Sequence, residues 1–147
     1  MLQFTSNTTI LIHHKIAVVD DESELAIMYA EAIWTQGYAV KSFSDPVLAL
    51  QEICSNPFEF SLVITDIKMA VMNGMELATQ IHYKNNKIKI IFISGYGQFD
   101  AGDLKFTLLT KPIRINKLLE VVNNILGAKN QADKVNGFAD YQLQNSM

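Results

Sequence analysis

The sequence predicts one α/β domain, built on a sheet of five parallel strands with helices on both faces. Short apolar runs rich in β-branched residues alternate with stretches whose apolar residues recur every three or four positions. Such runs are typical of parallel strands buried on both faces, and parallel neighbours need right-handed crossovers. The 147 residues suffice for one ordinary domain with a real core.

Composition excludes several classes of function. The chain is 49% hydrophobic and 18% charged with a net charge of −3, an ordinary globular profile without the basic surplus that direct nucleic-acid binding requires. No apolar run approaches the roughly 20 residues of a membrane span. The single cysteine, Cys54, excludes an internal disulfide and fits a reducing compartment. The N-terminus lacks signal-peptide features, so we expect a cytoplasmic protein.

The first strand and helix follow a predicted N-terminal extension, residues 1–14, which shows no clear period. Residues 16–19 are an apolar run that predicts a strand, and Asp20-Asp21-Glu22 follow it. The spacing from Ser23 to Gln36 predicts an amphipathic helix, closed by Gly37 as its C-terminal cap. The side chains predicted to face the core are Leu25, Met28, Tyr29, Ala32 and Ile33.

The second strand is predicted over residues 38–43. Ser44-Asp45-Pro46 indicates the start of a helix, with a capping hydroxyl and an early proline, and Asn56-Pro57 ends it. The side chains predicted to be buried on this helix are Val47, Leu48, Leu50 and Ile53.

The third strand, residues 62–66, is an apolar run that ends abruptly in Asp66. An aspartate after a strand is often a turn former or a helix cap, so this stretch alone leaves its role open. A loop over residues 67–74 leads to a helix from about Met75 to Tyr83. The inward positions of that helix are Leu77, Ala78 and Ile81.

The fourth strand, residues 88–93, ends at Ser94-Gly95, and the fifth, residues 106–110, ends at Lys111-Pro112. Asn116 is the expected cap of the last helix, which Gly127 closes. The inward positions of that helix are Leu118, Leu119, Val122, Ile125 and Leu126. Residues 128–147 are polar and lose the period, which indicates a C-terminal tail or the start of a linker.

Four of the five strands are followed by groups that could do chemistry together. They are Asp20-Asp21, Asp66, Ser94 and Lys111. The carboxyl ends of parallel strands meet at one edge, where converging carboxylates repel one another and require a cation. Mg²⁺ prefers such oxygen ligands, and a lysine with a hydroxyl would hold a tetrahedral anion. The set predicts phosphoryl transfer in which one carboxylate is the nucleophile.

The chain resembles the receiver domain of two-component response regulators over about residues 15–127. The resemblance lies in Val18-Val19-Asp20-Asp21, Asp66-Ile67-Lys68-Met69 with Met72-Asn73-Gly74, Ser94-Gly95 and Thr110-Lys111-Pro112. It implies a flavodoxin-like, chemotaxis-receiver-like fold with strand order 2-1-3-4-5. It also implies a phosphoryl group passed from the phosphohistidine of a histidine kinase, or from a phosphotransfer protein, to an aspartate. A homodimer and an output partner that the sequence does not name also fit the family.

The resemblance implies a magnesium site with four contributors. Asp21 and Asp66 would bind Mg²⁺ directly, and Asp20 would act through water. The backbone carbonyl of Lys68 would complete the protein ligands.

The same resemblance implies how the phosphoryl group is held. Asp66 would be phosphorylated, Ser94 would donate a hydrogen bond to a phosphoryl oxygen, and Lys111 would pair with its charge. A cis peptide bond at Lys111-Pro112 would aim the lysine inward, and cis bonds are essentially confined to proline.

The chain departs from the family pattern in three places. Ala70 replaces a common proline. Leu108 stands at the position of the aromatic switch residue, where a leucine cannot swing a ring, so Ser94, Leu108, Tyr96 and Phe106 are the switch candidates, with Phe106 interpreted as core. Only 16 residues, 95–110, separate Ser94 from Lys111. The helix between the fourth and fifth strands is therefore predicted to be short or absent, which also affects the face that many receivers use for partners.

Two other hypotheses remain open. One is a degenerate receiver that acts as a constitutive protein-interaction module, motivated by Leu108 and the short connection. The other is an aspartyl-phosphate hydrolase of the haloacid dehalogenase type, which fits less well because its pattern is Asp-x-Asp and this chain has adjacent Asp20-Asp21. A self-phosphorylating receiver is not a turnover enzyme.

Overall fold

The computed structural model describes residues 15–95 and 101–127. These residues form five strands and four helices. The strands are β1 (Lys15–Val19), β2 (Ala39–Phe43), β3 (Phe60–Asp66), β4 (Lys89–Ser94) and β5 (Thr107–Thr110). The helices are α1 (Ser23–Trp34), α2 (Pro46–Ser55), α3 (Gly74–Lys84) and α4 (Ile115–Leu126).

All strand pairs are parallel, and the order across the sheet is β2-β1-β3-β4-β5. The predicted fold class and strand order are confirmed. Because β1 and β3 are neighbours inside the sheet, the residues that follow them are brought together at its carboxyl edge.

Two apolar cores lie on opposite faces of the sheet, because successive side chains of a strand point to opposite sides. Leu62 and Ile64 of β3 belong to the first core, with buried residues of α1 and α4. Val63 belongs to the second core, with buried residues of α2 and α3. We call these the α1/α4 core and the α2/α3 core.

The predicted buried faces of α1 and α2 are partly wrong. Met28 is 43% exposed and Leu48 is 55% exposed, although both were expected to face the core. Ala26, Ala30 and Ala49 are buried in their place. Small side chains on the sheet side let a helix backbone approach closely, so the larger neighbouring side chains lie at the rim. The inward positions predicted for α3 are confirmed.

Three predicted helix caps are also wrong. The side chain of Asp45, not of Ser44, caps α2 by accepting a hydrogen bond from the backbone N–H of Val47 at 2.8 Å. Arg114 precedes α4 without a side-chain cap, and Asn116 lies inside the helix. Helix α1 ends at Trp34 with Thr35 as its cap, and Gly37, at φ 93°, turns the chain toward β2.

The described part of the connection between β4 and β5, Gly95 and residues 101–106, contains a turn and no helix. Residues 1–14 and 128–147, predicted as an extension and a tail, lie outside the described residues. None of the described helices is long and apolar enough to cross a membrane.

Candidate functional site

Three aspartates meet at the carboxyl edge of the sheet. One carboxylate oxygen from each of Asp20, Asp21 and Asp66 lies within 4.8 Å of the other two. Asp20 is 1% exposed and Asp66 is 5% exposed, whereas Asp21 is open to solvent. The cluster therefore has two buried carboxylates and one at its mouth, an all-oxygen donor set that suits a hard divalent cation.

Asp20 carries the least compensated charge of this cluster. Its Oδ1 accepts a hydrogen bond from the backbone N–H of Glu22 at 2.9 Å, and its Oδ2 is buried without a partner among the described residues. Burial raises the pKa of Asp20 from 3.8 to about 6, assisted by the charge of Asp66 and opposed by the Glu22 hydrogen bond. The orphaned oxygen and the raised pKa both indicate a place that a cation or its bound water would stabilise.

Lys111 completes the charge balance of the site. Its Nζ donates a hydrogen bond to Oδ2 of Asp66 at 3.0 Å. Burial lowers the pKa of Lys111, but the hydrogen bond and the charges of Asp66 and Asp20 outweigh burial, so the pKa is raised and the lysine stays cationic. The Lys111 N–H also donates to the Ser94 carbonyl at 2.7 Å, and the Lys111–Pro112 peptide bond is cis.

Backbone contacts at the ends of β3 and β4 position Asp66 and Ser94. The Thr65 hydroxyl donates to the Asp66 carbonyl at 2.8 Å, and both residues are buried. Ser94 is the last residue of β4 and is 5% exposed. These strand ends fix the two side chains on the rigid part of the fold rather than on a loop.

The loop between β3 and α3 closes over the cluster. Its Ala70 N–H donates to Oδ2 of Asp21 at 3.0 Å. At the end of the loop, Gly74 packs so tightly that an added Cβ would lie 2.2 Å from the Asp66 carbonyl oxygen. A glycine is therefore required there. The sequence pattern included Gly74 but gave no physical reason for it, because the close approach depends on how the loop folds back onto β3.

The remaining predicted residues lie in different environments. Lys68 is an exposed loop residue, and Leu108 is half-buried against the α2/α3 core. Phe106 is 37% exposed and contacts Phe92 edge-on, with ring centroids 5.2 Å apart, so its interpretation as a simple core residue is wrong. It lies at the rim because no described helix covers this part of the sheet. Tyr96 lies outside the described residues.

Sequence reasoning placed Tyr29 only on the core face of α1 and did not predict its electrostatic environment. Tyr29 is 4% exposed, and its pKa is raised by burial and then by the charge of Asp20. A tyrosine among aliphatic residues on a face that begins beside two aspartates was the available signal.

A comparison with protein families identifies the family of this chain. The model of the response regulator receiver domain matches residues 16–123. This chain belongs to the response regulator receiver family. It is a phosphoacceptor module of two-component signalling. Receiver domains bind Mg²⁺ at an acidic site, and Asp20, Asp21 and Asp66 form such a cluster.

Individual relatives agree with this assignment. The receiver is 29% identical over 119 residues to the response regulator receiver protein CpdR of Brucella abortus (strain 2308), covering 76% of this chain and 96% of that protein. It is 30% identical over 117 residues to the sensor kinase CckA of the same strain, which is 76% of this chain but only 12% of the kinase. The chain thus spans a small part of that longer relative.

Solved structures show the same fold. A response regulator receiver domain protein from Clostridium thermocellum superposes with a TM-score of 0.71 at 27% identity, covering 80% of this chain and 97% of that chain. Receiver domains as a family interact with histidine kinases and phosphotransfer proteins.

Proposed function

We propose that Asp66 is the residue that accepts the phosphoryl group, from a phosphohistidine of a histidine kinase or phosphotransfer protein. The observation that carries the proposal is the 3.0 Å ion pair between Lys111 and Asp66 beside two further carboxylates. An Asp66 oxygen forms a bond to phosphorus while the phosphorus–nitrogen bond of the donor breaks. The leaving imidazole retains the electron pair of that bond and takes a proton from solvent.

Two other residues act on the transferred group. Lys111 pairs with the Asp66 carboxylate at 3.0 Å before transfer, and its Nζ, which has three N–H donors, pairs with the phosphoryl charge afterwards. The Ser94 hydroxyl, held at the end of β4, donates to a phosphoryl oxygen. Because both groups are carried by strand ends, they are in place before the donor arrives.

The cation that balances the carboxylates is proposed to be Mg²⁺. Asp21 and Asp66 would hold it directly, Asp20 through a water molecule, and the Lys68 carbonyl would add a backbone oxygen. Bound there, Mg²⁺ supplies positive charge to the phosphoryl oxygens. The reaction ends on the protein's own side chain, so the receiver is not a turnover enzyme.

We also propose a cytoplasmic location, which the free Cys54 thiol supports.

The first test is the intact mass of the chain after incubation with acetyl phosphate and Mg²⁺. We expect one phosphoryl adduct in the parent and none in Asp66→Asn or in a sample with excess chelator. Asp45→Asn is the matched control, because Asp45 also follows a strand at the same edge but lies exposed as a helix cap. Labelling of Asp66→Asn as fast as the parent would overturn the assignment of the acceptor.

The constitutive interaction module is the second candidate, and the half-buried Leu108 favours it because the side chain cannot swing a ring. It predicts that Mg²⁺ and beryllofluoride, an acyl-phosphate mimic, bind without changing amide exchange over residues 101–110. A signalling receiver predicts a clear change there. This amide-exchange measurement distinguishes the two candidate functions even if the protein accepts a phosphoryl group in both cases.

A further inference from the structure

The three carboxylates of the aspartate cluster differ in what holds them in place. Each accepts one hydrogen bond from a donor outside the cluster. The donors are the backbone N–H of Glu22 for Asp20, Nζ of Lys111 for Asp66 and the backbone N–H of Ala70 for Asp21. Asp20 and Asp66 are also buried, whereas Asp21 is exposed, so packing does little to fix its side chain. Among the described residues, the Ala70 hydrogen bond is therefore the contact that orients Asp21.

Ala70 is itself held by the loop between β3 and α3. Its N–H donates to Oδ2 of Asp21 at 3.0 Å, a contact between residues 49 positions apart in the chain. Its carbonyl accepts from the Met72 N–H at 2.8 Å, around Val71, which has φ 72°. A β-branched residue keeps such a backbone conformation only where surrounding contacts hold it. Both backbone polar groups of Ala70 are thus used, one inside the loop and one across to the segment that follows β1.

The Ala70 hydrogen bond leaves Asp21 able to bind a cation. A carboxylate has two oxygens with about four acceptor positions, and one N–H occupies one of them. The Lys68 carbonyl, the proposed backbone ligand, belongs to the peptide unit directly before the one that carries the Ala70 N–H. Holding that N–H against Asp21 therefore restrains the carboxylate and the carbonyl together. Ligands that are already oriented lose less conformational entropy when the cation binds.

The residue type at position 70 decides whether this bond can form. Ala70 stands where the family pattern commonly has a proline, and proline has no backbone N–H. A proline at this position would leave Asp21 without the donor. The departure from the family pattern at Ala70 thus changes the surroundings of a proposed metal ligand.

We propose that Ala70 is a positioning residue, whose N–H orients Asp21 and the Lys68 carbonyl before the cation binds. The inference rests on the proposed function, since Asp21 and Lys68 are proposed ligands of Mg²⁺. A role confined to holding the loop together predicts no change in Mg²⁺ affinity when the N–H is removed. A positioning role predicts weaker binding.

The first experiment compares Ala70→Pro, which deletes the N–H, with Ala70→Gly, which keeps it, in the full chain. Deleting one hydrogen bond should raise the Mg²⁺ dissociation constant roughly 2- to 10-fold, measured by calorimetry with the metal alone. The Mg²⁺ concentration for half-maximal phosphoryl uptake from acetyl phosphate should rise by the same factor, while the rate at saturating Mg²⁺ stays that of the parent. Equal Mg²⁺ affinity in Ala70→Pro and Ala70→Gly would overturn the inference.

A second variant separates loss of the donor from the effects of the proline ring. Lactic acid in place of Ala70 exchanges the N–H for an ester oxygen and adds no ring. It should raise the Mg²⁺ dissociation constant as Ala70→Pro does. A dissociation constant equal to that of the parent would count against the positioning role.

The third experiment reads the hydrogen bond in metal-free protein and needs no activity. The ¹⁵N-labelled chain is compared with Asp21→Ala, which removes the acceptor, and with Glu24→Ala, which removes an exposed carboxylate in the first turn of α1. Only Asp21→Ala should shift the Ala70 amide proton upfield and speed its exchange with solvent. The Glu76 amide, which donates to Asn73 in the same region, should stay in place. An Ala70 amide that Asp21→Ala leaves unchanged would reject the link between the two residues.

The outcomes distinguish the inference from the proposed function on which it rests. If the parent binds Mg²⁺ and accepts a phosphoryl group, and Ala70→Pro matches it in Mg²⁺ affinity, the inference alone is rejected. If the parent neither binds Mg²⁺ nor accepts a phosphoryl group, the proposed function is rejected and the inference with it.

Discussion

Asp20 and Asp45 follow neighbouring strands, β1 and β2, at the same edge of the sheet. Each side chain accepts a hydrogen bond from the backbone N–H two residues further on, from Glu22 at 2.9 Å and from Val47 at 2.8 Å. Asp20 is 1% exposed with one oxygen that has no partner among the described residues, and its pKa is raised to about 6 mainly by burial. Asp45 is exposed and caps α2.

The difference between the two aspartates comes from the position of their strands. β2 is an edge strand and has one neighbour, whereas β1 lies between β2 and β3. The end of β1 is therefore flanked by strand ends on both sides, and on the β3 side Asp66 and the β3–α3 loop lie beside it. The same local hydrogen bond is therefore found in an exposed helix cap at the edge of the sheet and in a buried charged site inside it.

The largest loss of stability is expected from adding one methyl group at Gly74, which packs against the end of β3. In Gly74→Ala the new Cβ would lie 2.2 Å from the Asp66 carbonyl oxygen, against backbone that cannot move aside without displacing Asp66. We expect a loss of about 4 kcal/mol or more in the free energy of unfolding, or no folded protein. Urea denaturation followed by circular dichroism measures it.

Gly95→Ala is the matched control, since Gly95 follows β4 at the same edge and a Cβ there meets nothing within 4 Å. Its free energy of unfolding should stay within about 0.5 kcal/mol of the parent. Equal effects of the two substitutions would show that crowding is not confined to the end of β3.

The second effect follows from the buried charge of Asp20. A pKa raised from 3.8 to about 6 means that ionising Asp20 costs about 3 kcal/mol of folding free energy in metal-free protein. Asp20→Asn removes that charge and its Oδ1 can still accept from Glu22, so it should stabilise the protein by up to about 3 kcal/mol at pH 7 to 8. Asp45→Asn, at an exposed cap, should change stability by less than about 0.5 kcal/mol.

The contribution of the Asp20 charge to the free energy of unfolding depends on pH. Between about pH 4 and pH 6 the folded chain binds more protons at Asp20 than the unfolded chain, so the free energy of unfolding falls as the pH rises through that window. The advantage of Asp20→Asn over the parent should vanish below about pH 4. Urea titrations in excess chelator across this range measure it, and an advantage independent of pH would contradict the assignment to the Asp20 charge.

The residue pattern was sufficient to predict a five-stranded parallel sheet and the strand ends that meet at the site, whereas the strand order came from the family resemblance. Strand runs and crossover rules are local, and the ends of parallel strands share an edge, so Asp20, Asp66, Ser94 and Lys111 could be grouped from the residue pattern alone. The sequence analysis placed Asp20 in this group and Asp45 at a helix start, but it could not predict how differently the two side chains are buried, because both follow a strand and both precede a helix.

Details that depend on packing were predicted less well. The rotation of α1 and α2 was wrong at Met28 and Leu48 because small residues, not the largest ones, lie against the sheet. The proximity of Tyr29 to the charges depends on the tilt of a helix over the sheet. Such features follow from how the elements pack together, which single-sequence periodicity does not determine.

The smallest expected effect concerns the loop between β3 and α3, which lies beside Asp20 and Asp66 and not beside Asp45. Val71 has φ 72° and is 90% exposed, and the Met72 N–H donates to the Ala70 carbonyl at 2.8 Å, as in a strained γ-turn. A β-branched residue there costs roughly 1–3 kcal/mol, and the extra unfolded-state entropy of glycine offsets about 0.5–1 kcal/mol. Val71→Gly should therefore stabilise the chain by about 1 kcal/mol in urea titrations. Ala70→Gly is the control, at the neighbouring exposed position without positive φ, and it should destabilise the chain slightly. A loss of stability in Val71→Gly would show that contacts of the valine side chain outweigh its backbone strain.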